Sequence, residues 1–157
     1  MLRSSGQDLA AIVANVLLEA DAYGRPAQKG TAMDWKLELV ILPVSDVDRA
    51  KVFYVDQVGF SADHDQVVSD EIRFVQLTPP GSACSIAFGK GLVEGEPGSV
   101  KGLQIVVDDA QAAHDHLAAA GVEVSDVQHL PWGDFVGFSD PDGNSWSVQQ
   151  LPPRPSA

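Results

Sequence analysis

The sequence predicts an α+β protein made of two βαβββ modules preceded by an N-terminal helical extension. Three observations carry that prediction. The stretch Phe138-Ser139-Asp140-Pro141-Asp142-Gly143-Asn144-Ser145-Trp146 reads as a tight turn between two strands. Pro141 presets one backbone angle, Gly143 and Asn144 accept positive φ at low cost, and the two aspartates can bond the turn's own amides. Phe74-Val75-Gln76-Leu77-Thr78-Pro79-Pro80-Gly81-Ser82-Ala83-Cys84-Ser85-Ile86 repeats the order strand, Pro/Gly turn, strand. Upstream of each, a helical pattern opens on aspartate and ends at glycine: Val44-Ser45-Asp46 leads to Gly59, and Val107-Asp108-Asp109 to Gly121. Asp46 to Gly59 is the same spacing as Asp108 to Gly121. An EF-hand reading of Asp140-Pro141-Asp142-Gly143 fails, because the bidentate Glu that such a loop needs at its twelfth position is here Leu151.

Taken in order, residues 1–32 are an extension. Leu9, Ile12, Val13, Val16, Leu17 and Ala20 recur at helical spacing, which predicts an amphipathic helix from residue 7 to about 23, followed by a linker at 25–30. Asp8 and Asn15 in that helix, and the near absence of a basic leader, argue against a signal peptide. Residues 36–43 are a nearly apolar first strand. Asp46 caps a helix whose buried side carries Ala50, Phe53 and Tyr54. Residues 58–63 read as a short second strand, the polar run 63–70 as a loop, and 72–78 with 83–88 as a hairpin. The glycine-rich run 89–99 reads as a connection. Residues 102–107 are the fifth strand, 110–120 the second helix, 122–127 the sixth strand and 128–133 a loop; the Asp-Pro-Asp-Gly-Asn hairpin supplies the last two strands. Module one is therefore 34–90 and module two 101–151, together a domain of 33–151, with a flexible tail at 152–157.

Composition limits the function. With 10 basic and 22 acidic residues among 157, the formal net charge is −12 at pH 7. That argues against a nucleic-acid backbone or an anionic membrane as partner. Cys84 is the sole cysteine, so no intrachain disulfide forms, and a cytoplasmic, reducing compartment fits. Its place in a strand pattern points to an inert thiol rather than a nucleophile. No apolar run reaches membrane-spanning length.

A doubled strand-helix-three-strand unit closing on Asp140-Pro141-Asp142-Gly143-Asn144 resembles the vicinal oxygen chelate superfamily of glyoxalase, bleomycin resistance and dioxygenase proteins. The resemblance covers about residues 34–151 and also rests on Phe53-Tyr54, Val58-Gly59-Phe60 and Pro131-Trp132-Gly133. It implies paired cup-shaped mixed sheets enclosing a ligand cavity, and it implies a homodimer. Metal-using members of that superfamily place His or Glu on the first and last strands of each module. The matching positions here are Leu39, Ala87, Gly102 (or Gln104, if the strand slips by two) and Ser147, none of them a good ligand. Glu38 adjoins Leu39, but one residue of slip turns it to the other sheet face.

The remaining histidines build no obvious metal site. His114 and His116 are two apart on a helix, and His64 lies in the acidic run. His129 precedes Leu130-Pro131-Trp132-Gly133, a loop that the resemblance places over the cavity mouth. The sequence thus implies a protein that binds a small organic molecule without metal or other cofactor. Its candidate contacts are Gln76, Phe88, Gln104, His129, Trp132 and Trp146. The alternative is a divalent-metal-dependent lyase, isomerase or dioxygenase (glyoxalase I-like or extradiol dioxygenase-like), with Glu38, Gln104 and His129 as ligands. A third reading is a regulatory or structural partner module with a vestigial cavity. No catalytic residue is identifiable.

Overall fold

The computed structural model describes Met33 and residues 35–153. The helix and linker expected within residues 1–32 lie outside the described residues, and every element below belongs to the unit that begins at Leu37.

The first module is β1 (Leu39–Ile41), α1 (Val47–Val52) running on as a π-helical turn (Phe53–Val58), β2 (Ser61–Ser69), β3 (Ile72–Thr78) and β4 (Ser85–Lys90). The second is β5 (Leu103–Val107), α2 (Ala110–Ala119), β6 (Gln128–Leu130), β7 (Gly133–Ser139) and β8 (Ser145–Gln150). The strand orders are β1-β4-β3-β2 and β5-β8-β7-β6, so each sheet repeats the other's topology. In each, the first strand pairs in parallel with the last, and the other pairings are antiparallel. This is the doubled βαβββ architecture of an α+β protein.

The helices start where their caps dictate. Asp46 accepts from the Arg49 N–H at 3.0 Å and Asp109 from the Ala112 N–H at 2.9 Å, each satisfying an otherwise orphaned amide. Both end on a left-handed glycine, Gly59 at φ 95° and Gly121 at φ 80°. The cap in the second module is Asp109, not Asp108. Cap to glycine is therefore 59 − 46 = 13 residues in the first arm and 121 − 109 = 12 in the second. The extra residue coincides with the π-helical turn, the usual way a helix absorbs an insertion. That turn carries Phe53 and Tyr54 into the core, where Tyr54 is fully buried.

Both sheets share one core. The Tyr54 ring stacks on Phe60 at 5.6 Å and Phe88 at 5.8 Å, and meets Trp146 of the second module edge-on at 6.0 Å. Phe138 lies parallel to Trp146 at 6.0 Å. Each such pair adds about 0.5–1.5 kcal/mol beyond area burial. On the exposed side of the first module, Arg73 forks onto Asp65 with two bonds of 2.9 Å, while Lys51 reaches Asp65 and Arg73 reaches Asp48, both at 2.8 Å. These ion pairs tie α1 to β2 and β3.

Two strands differ from the sequence reading. β2 runs through the polar stretch expected to be a loop, so His64 is a strand residue; pairing with β3 along an exposed edge overrides the weak strand propensity of Asp63-His64-Asp65-Gln66. The sixth strand is Gln128–Leu130 rather than 122–127. In 122–127 only Val124 makes an isolated bridge, to Phe138, because Ser125 spends its hydroxyl and N–H on the Gly137 backbone. No helix among the described residues is long and apolar enough to cross a membrane.

Candidate functional site

Strand alternation sorts each sheet into two faces. On β3 and β4 the residues Val75, Leu77, Ile86 and Phe88 enter the core beneath the helices. Their neighbours Phe74, Gln76, Thr78, Ser85 and Ala87 therefore share the opposite face, as does Leu39, which pairs with Ser85. In the second sheet Val136, Phe138, Trp146 and Val148 enter the core, leaving Gln104, Ser147 and Gln149 on the face away from the helices.

Each of these faces carries a chain of polar side chains. In the first module the Thr78 hydroxyl bonds to the Asp63 carboxylate. The Thr78 and Ser85 hydroxyls lie 2.6 Å apart, and Gln76 Nε2 lies 3.3 Å from Ser85 Oγ. Gln76 is 6% exposed, and its Oε1 has no partner. In the second module Gln104 Nε2 donates to Gln149 Oε1 at 2.5 Å, and Gln149 Nε2 donates to the Trp132 carbonyl at 2.9 Å. Both ends of the Gln149 amide are thus occupied.

A cleft of about 270 Å³ lies between the first strands of the two modules. Leu37, Val40, Ile86, Leu103, Ile105 and Trp146 give it apolar walls, and Ser85 and Gln104 bring the two polar chains to its lining. Mostly apolar walls with a few convergent polar groups suit a small organic ligand. Cys84 also borders the cleft; burial, with the Glu38 carboxylate adding to it, pushes its thiol up, which disfavours the reactive thiolate. A wider hollow of about 610 Å³ lies between residues 123–125 and the β7–β8 hairpin. It is lined by Glu123, Ser125, Ser139, Asp140 and Ser145, and the Asp140 oxygens are already taken by bonds to its own turn and to Tyr54.

The six residues expected to contact a ligand do not converge. Gln76 and Gln104 lie in the two polar chains, and Gln104 reaches the cleft. Phe88 is a correction: it is fully buried against Tyr54, one residue out of phase with Ala87, and has no face to offer a ligand. Trp146 is 5% exposed and donates its indole N–H to the Tyr54 hydroxyl at 3.0 Å; it is a core residue that also forms part of the cleft wall. Trp132 is 60% exposed and joins the second chain through its carbonyl, not its ring. His129 pairs with Asp134 at 2.7 Å and in register faces the helix side of the sheet with Gln150, whose side chain accepts from the Ala110 N–H at the start of α2. It is on the opposite face from Gln104. Asp63, Thr78 and Ser85 escaped the sequence reading: Thr78 and Ser85 lie in strands that it did foresee, but their meeting across β3 and β4, and with Asp63 at the register irregularity of β2, is decided by strand pairing.

The divalent ion that the superfamily resemblance implies does not fit the residues present. Leu39 and Ala87 offer no donor atom, Gly102 only backbone, and the Gln104 amide already bonds to Gln149. Glu38 and Ser147 remain, and His129 lies on the other sheet face. Among the described residues no group of three or more His, Cys, Asp or Glu is placed to hold a metal ion.

Sequence and fold comparisons agree with this architecture. The family model of the Glyoxalase/Bleomycin resistance protein/Dioxygenase superfamily matches residues 36–148. The crystal structure of TnmS3, an antibiotic binding protein from Streptomyces sp. CB03234, is similar at 36% identity and TM-score 0.71, over 77% of this chain and 99% of that one. A glyoxalase/bleomycin resistance protein from the same strain is similar at 37% identity and TM-score 0.66, over 73% of this chain and 100% of its own. The YetH protein of Bacillus subtilis (strain 168) is 25% identical over 113 residues, which is 71% of this chain and 94% of YetH. With the family pattern running across both sheets and the linker between them, the chain belongs to the glyoxalase/bleomycin resistance protein/dioxygenase superfamily.

Proposed function

We propose that this protein binds a small, largely apolar organic molecule in the cleft between β1 and β5, without a metal ion. The observation that carries the reading is the cleft itself: apolar walls of about 270 Å³ that meet two hydrogen-bonding chains at Ser85 and Gln104. The description of TnmS3 as an antibiotic binding protein, at 36% identity, supports binding rather than turnover as the primary role. The donor set supports the absence of metal, since neutral amides and hydroxyls do not replace the His, Cys and carboxylate ligands of zinc or iron sites.

The protein acts as a homodimer in this reading. Val106 is 58% exposed and Leu130 39% exposed on the second sheet's face away from the helices, and Leu37 at the cleft is 69% exposed. A second copy would cover them. Elemental analysis of dialysed protein, then a thermal-shift screen of small organic molecules with and without divalent ions, tests the function. The expected result is a melting temperature raised by apolar compounds without added metal. Stoichiometric zinc, nickel, manganese or iron surviving dialysis, with no stabilising compound until it is present, would replace this reading by the enzymatic one. Sedimentation of the full chain tests the dimer; a monomer at micromolar concentration refutes it.

A further inference from the structure

β5 is an edge strand whose one strand partner is β8. The neighbouring hairpin fixes which of its main-chain groups are spent on β8. The Asp140 N–H bonds to the Asn144 carbonyl, so even-numbered residues of β8 turn their main chain toward β7 and odd-numbered ones toward β5. The Ser145 N–H, which reaches the Val100 carbonyl, agrees. In a parallel pair, each residue that bonds across the ladder is aligned with one whose own N–H and C=O point away from it. Gln104 is aligned with Ser147 and Val106 with Gln149, so the N–H and C=O of Gln104 and Val106 point off the free edge. Among the described residues nothing bonds to these groups. The Gln104 side chain does not cover the edge, because its Nε2 turns back over the sheet to Gln149 on β8.

The cleft lies against this edge rather than against one face of the sheet. Leu103 and Ile105 carry their side chains to the core side and Gln104 to the other, yet all three line the cleft. Leu37 and Val40 line it from the side of β1, the edge strand of the other sheet. None of the lining residues is charged.

We infer that the cleft takes an uncharged, amide-bearing molecule of peptide type with apolar side chains, which lies extended along β5 and exchanges hydrogen bonds with the Gln104 main chain. This rests on the reading that the cleft binds a small organic molecule, and it names the class. An N–H and a C=O side by side on one residue are matched by the C=O and N–H of one residue of a second extended chain, which is how peptides join exposed sheet edges. Leu37, Val40, Ile86 and Trp146 offer the walls that bury its apolar side chains. A carboxylate or ammonium on the ligand would lose water there without gaining a counter-charge, so blocked or internal amides are selected.

The experiment titrates the full-length protein by calorimetry with N-acetyl-leucyl-leucine methylamide and with the same compound methylated on all its amide nitrogens. Beta-naphthol, apolar and without an amide, is the comparison ligand, and NMR follows amide hydrogen exchange. The unmodified peptide is expected to bind about tenfold or more tightly than the methylated one, which leaves the Gln104 carbonyl without a donor. In the ligand-free protein the Gln104 and Val106 amides should exchange rapidly and those of Ile105 and Val107 slowly, an alternation along one strand. The unmodified peptide should slow the Gln104 amide about tenfold or more. Failure of that peptide to bind, equal affinity for its methylated form, or an unslowed Gln104 amide in the complex would each overturn the inference. So would a Gln104 amide already protected in the ligand-free protein, the result expected if a second copy or another segment of the chain covers the edge. Binding of beta-naphthol in any of these cases would leave the binding reading in place. If neither peptide nor beta-naphthol binds, that reading falls, and the inference with it.

Discussion

The turn between β3 and β4 is held by its own residues. The Ser82 N–H donates to the Pro79 carbonyl at 2.9 Å, and Ser82 Oγ bonds to the Cys84 backbone. The turn at the same place in the second module, between β7 and β8, reaches across the molecule. Asp140 Oδ1 collects the N–H groups of Asp142, Gly143 and Asn144, while Oδ2 accepts from the buried Tyr54 hydroxyl at 2.9 Å and from Asn144 Nδ2 at 2.7 Å. Asn144 also donates to the Pro43 carbonyl and accepts from the Val100 N–H. Asp142 accepts from the Ser45 amide and hydroxyl and from Arg49. Two turns of similar local chemistry thus differ in what they join: one closes a hairpin, the other fastens module two to the end of β1, the start of α1 and the central tyrosine. Proline, glycine and short polar side chains specify a turn, but not which distant groups it will meet.

That difference predicts unequal responses to mutation. Asp140→Ala should be the most damaging, because it removes at once the acceptor of the buried Tyr54 hydroxyl proton, of one Asn144 Nδ2 proton and of three turn amides; a loss of roughly 4 kcal/mol is expected in urea unfolding. The corresponding insult to the first turn, Ser82→Ala, removes exposed local bonds and should stay within about 1 kcal/mol. If the two losses came out alike, the second turn would be an ordinary hairpin turn. Gly98 sharpens the comparison. Its φ is 78°, and an added Cβ would lie 1.9 Å from the Asp142 carbonyl oxygen, so Gly98→Ala should cost about 2 kcal/mol or more by driving the linker off the turn. Gly81 has a similar φ of 80° but open space around it, so Gly81→Ala should cost about half as much.

Tyr54→Phe should lose about 2 kcal/mol, because the Trp146 indole N–H and one Asp140 oxygen lose their shared partner. Burial, then the Asp140 charge, holds the Tyr54 phenol protonated far above the usual tyrosine range. Since the folded value lies above the unfolded one, this contribution is intact below about pH 10 and declines as the pH rises beyond it. The wild-type advantage over Tyr54→Phe should therefore shrink only on the alkaline side.

The smallest effect belongs to the exposed ion pairs of module one. The Arg73 guanidinium, helped by Lys51, holds the Asp65 carboxyl down to about 2. Its folded value is depressed, so its stabilisation is full above the ordinary aspartate range near pH 4 and is lost as the pH falls toward 2. Asp65→Asn should cost no more than about 1 kcal/mol at neutral pH, and the two proteins should converge in acid. Equal stabilities at neutral pH would show that the pairs do not hold α1 to β2.

The sequence exposed the repeat because its markers are local: Asp46 and Asp109 cap helices, Gly59 and Gly121 end them, and two Pro/Gly turns close hairpins. It missed what pairing partners decide. Asp63 to Gln66 is too polar for an isolated strand but holds as the edge of a sheet. The Asp108-for-Asp109 slip concealed the residue that the π-helical turn absorbs. Of the expected site, Gln76 and Gln104 fall on the sheet faces away from the helices, whereas Phe88 differs from Ala87 by one step of the pleat, a distinction that register alone makes. The Asp63–Thr78–Ser85–Gln76 chain is invisible in sequence, since its members come from three strands.

The central claim is that the cleft takes an apolar organic molecule through this protein's own side chains, with no metal. Calorimetric titration of EDTA-treated, dialysed protein with beta-naphthol tests it most directly. Binding that is unchanged when zinc, manganese or iron is then supplied is the predicted result. Binding that is absent after EDTA and restored by one equivalent of a divalent ion would contradict it.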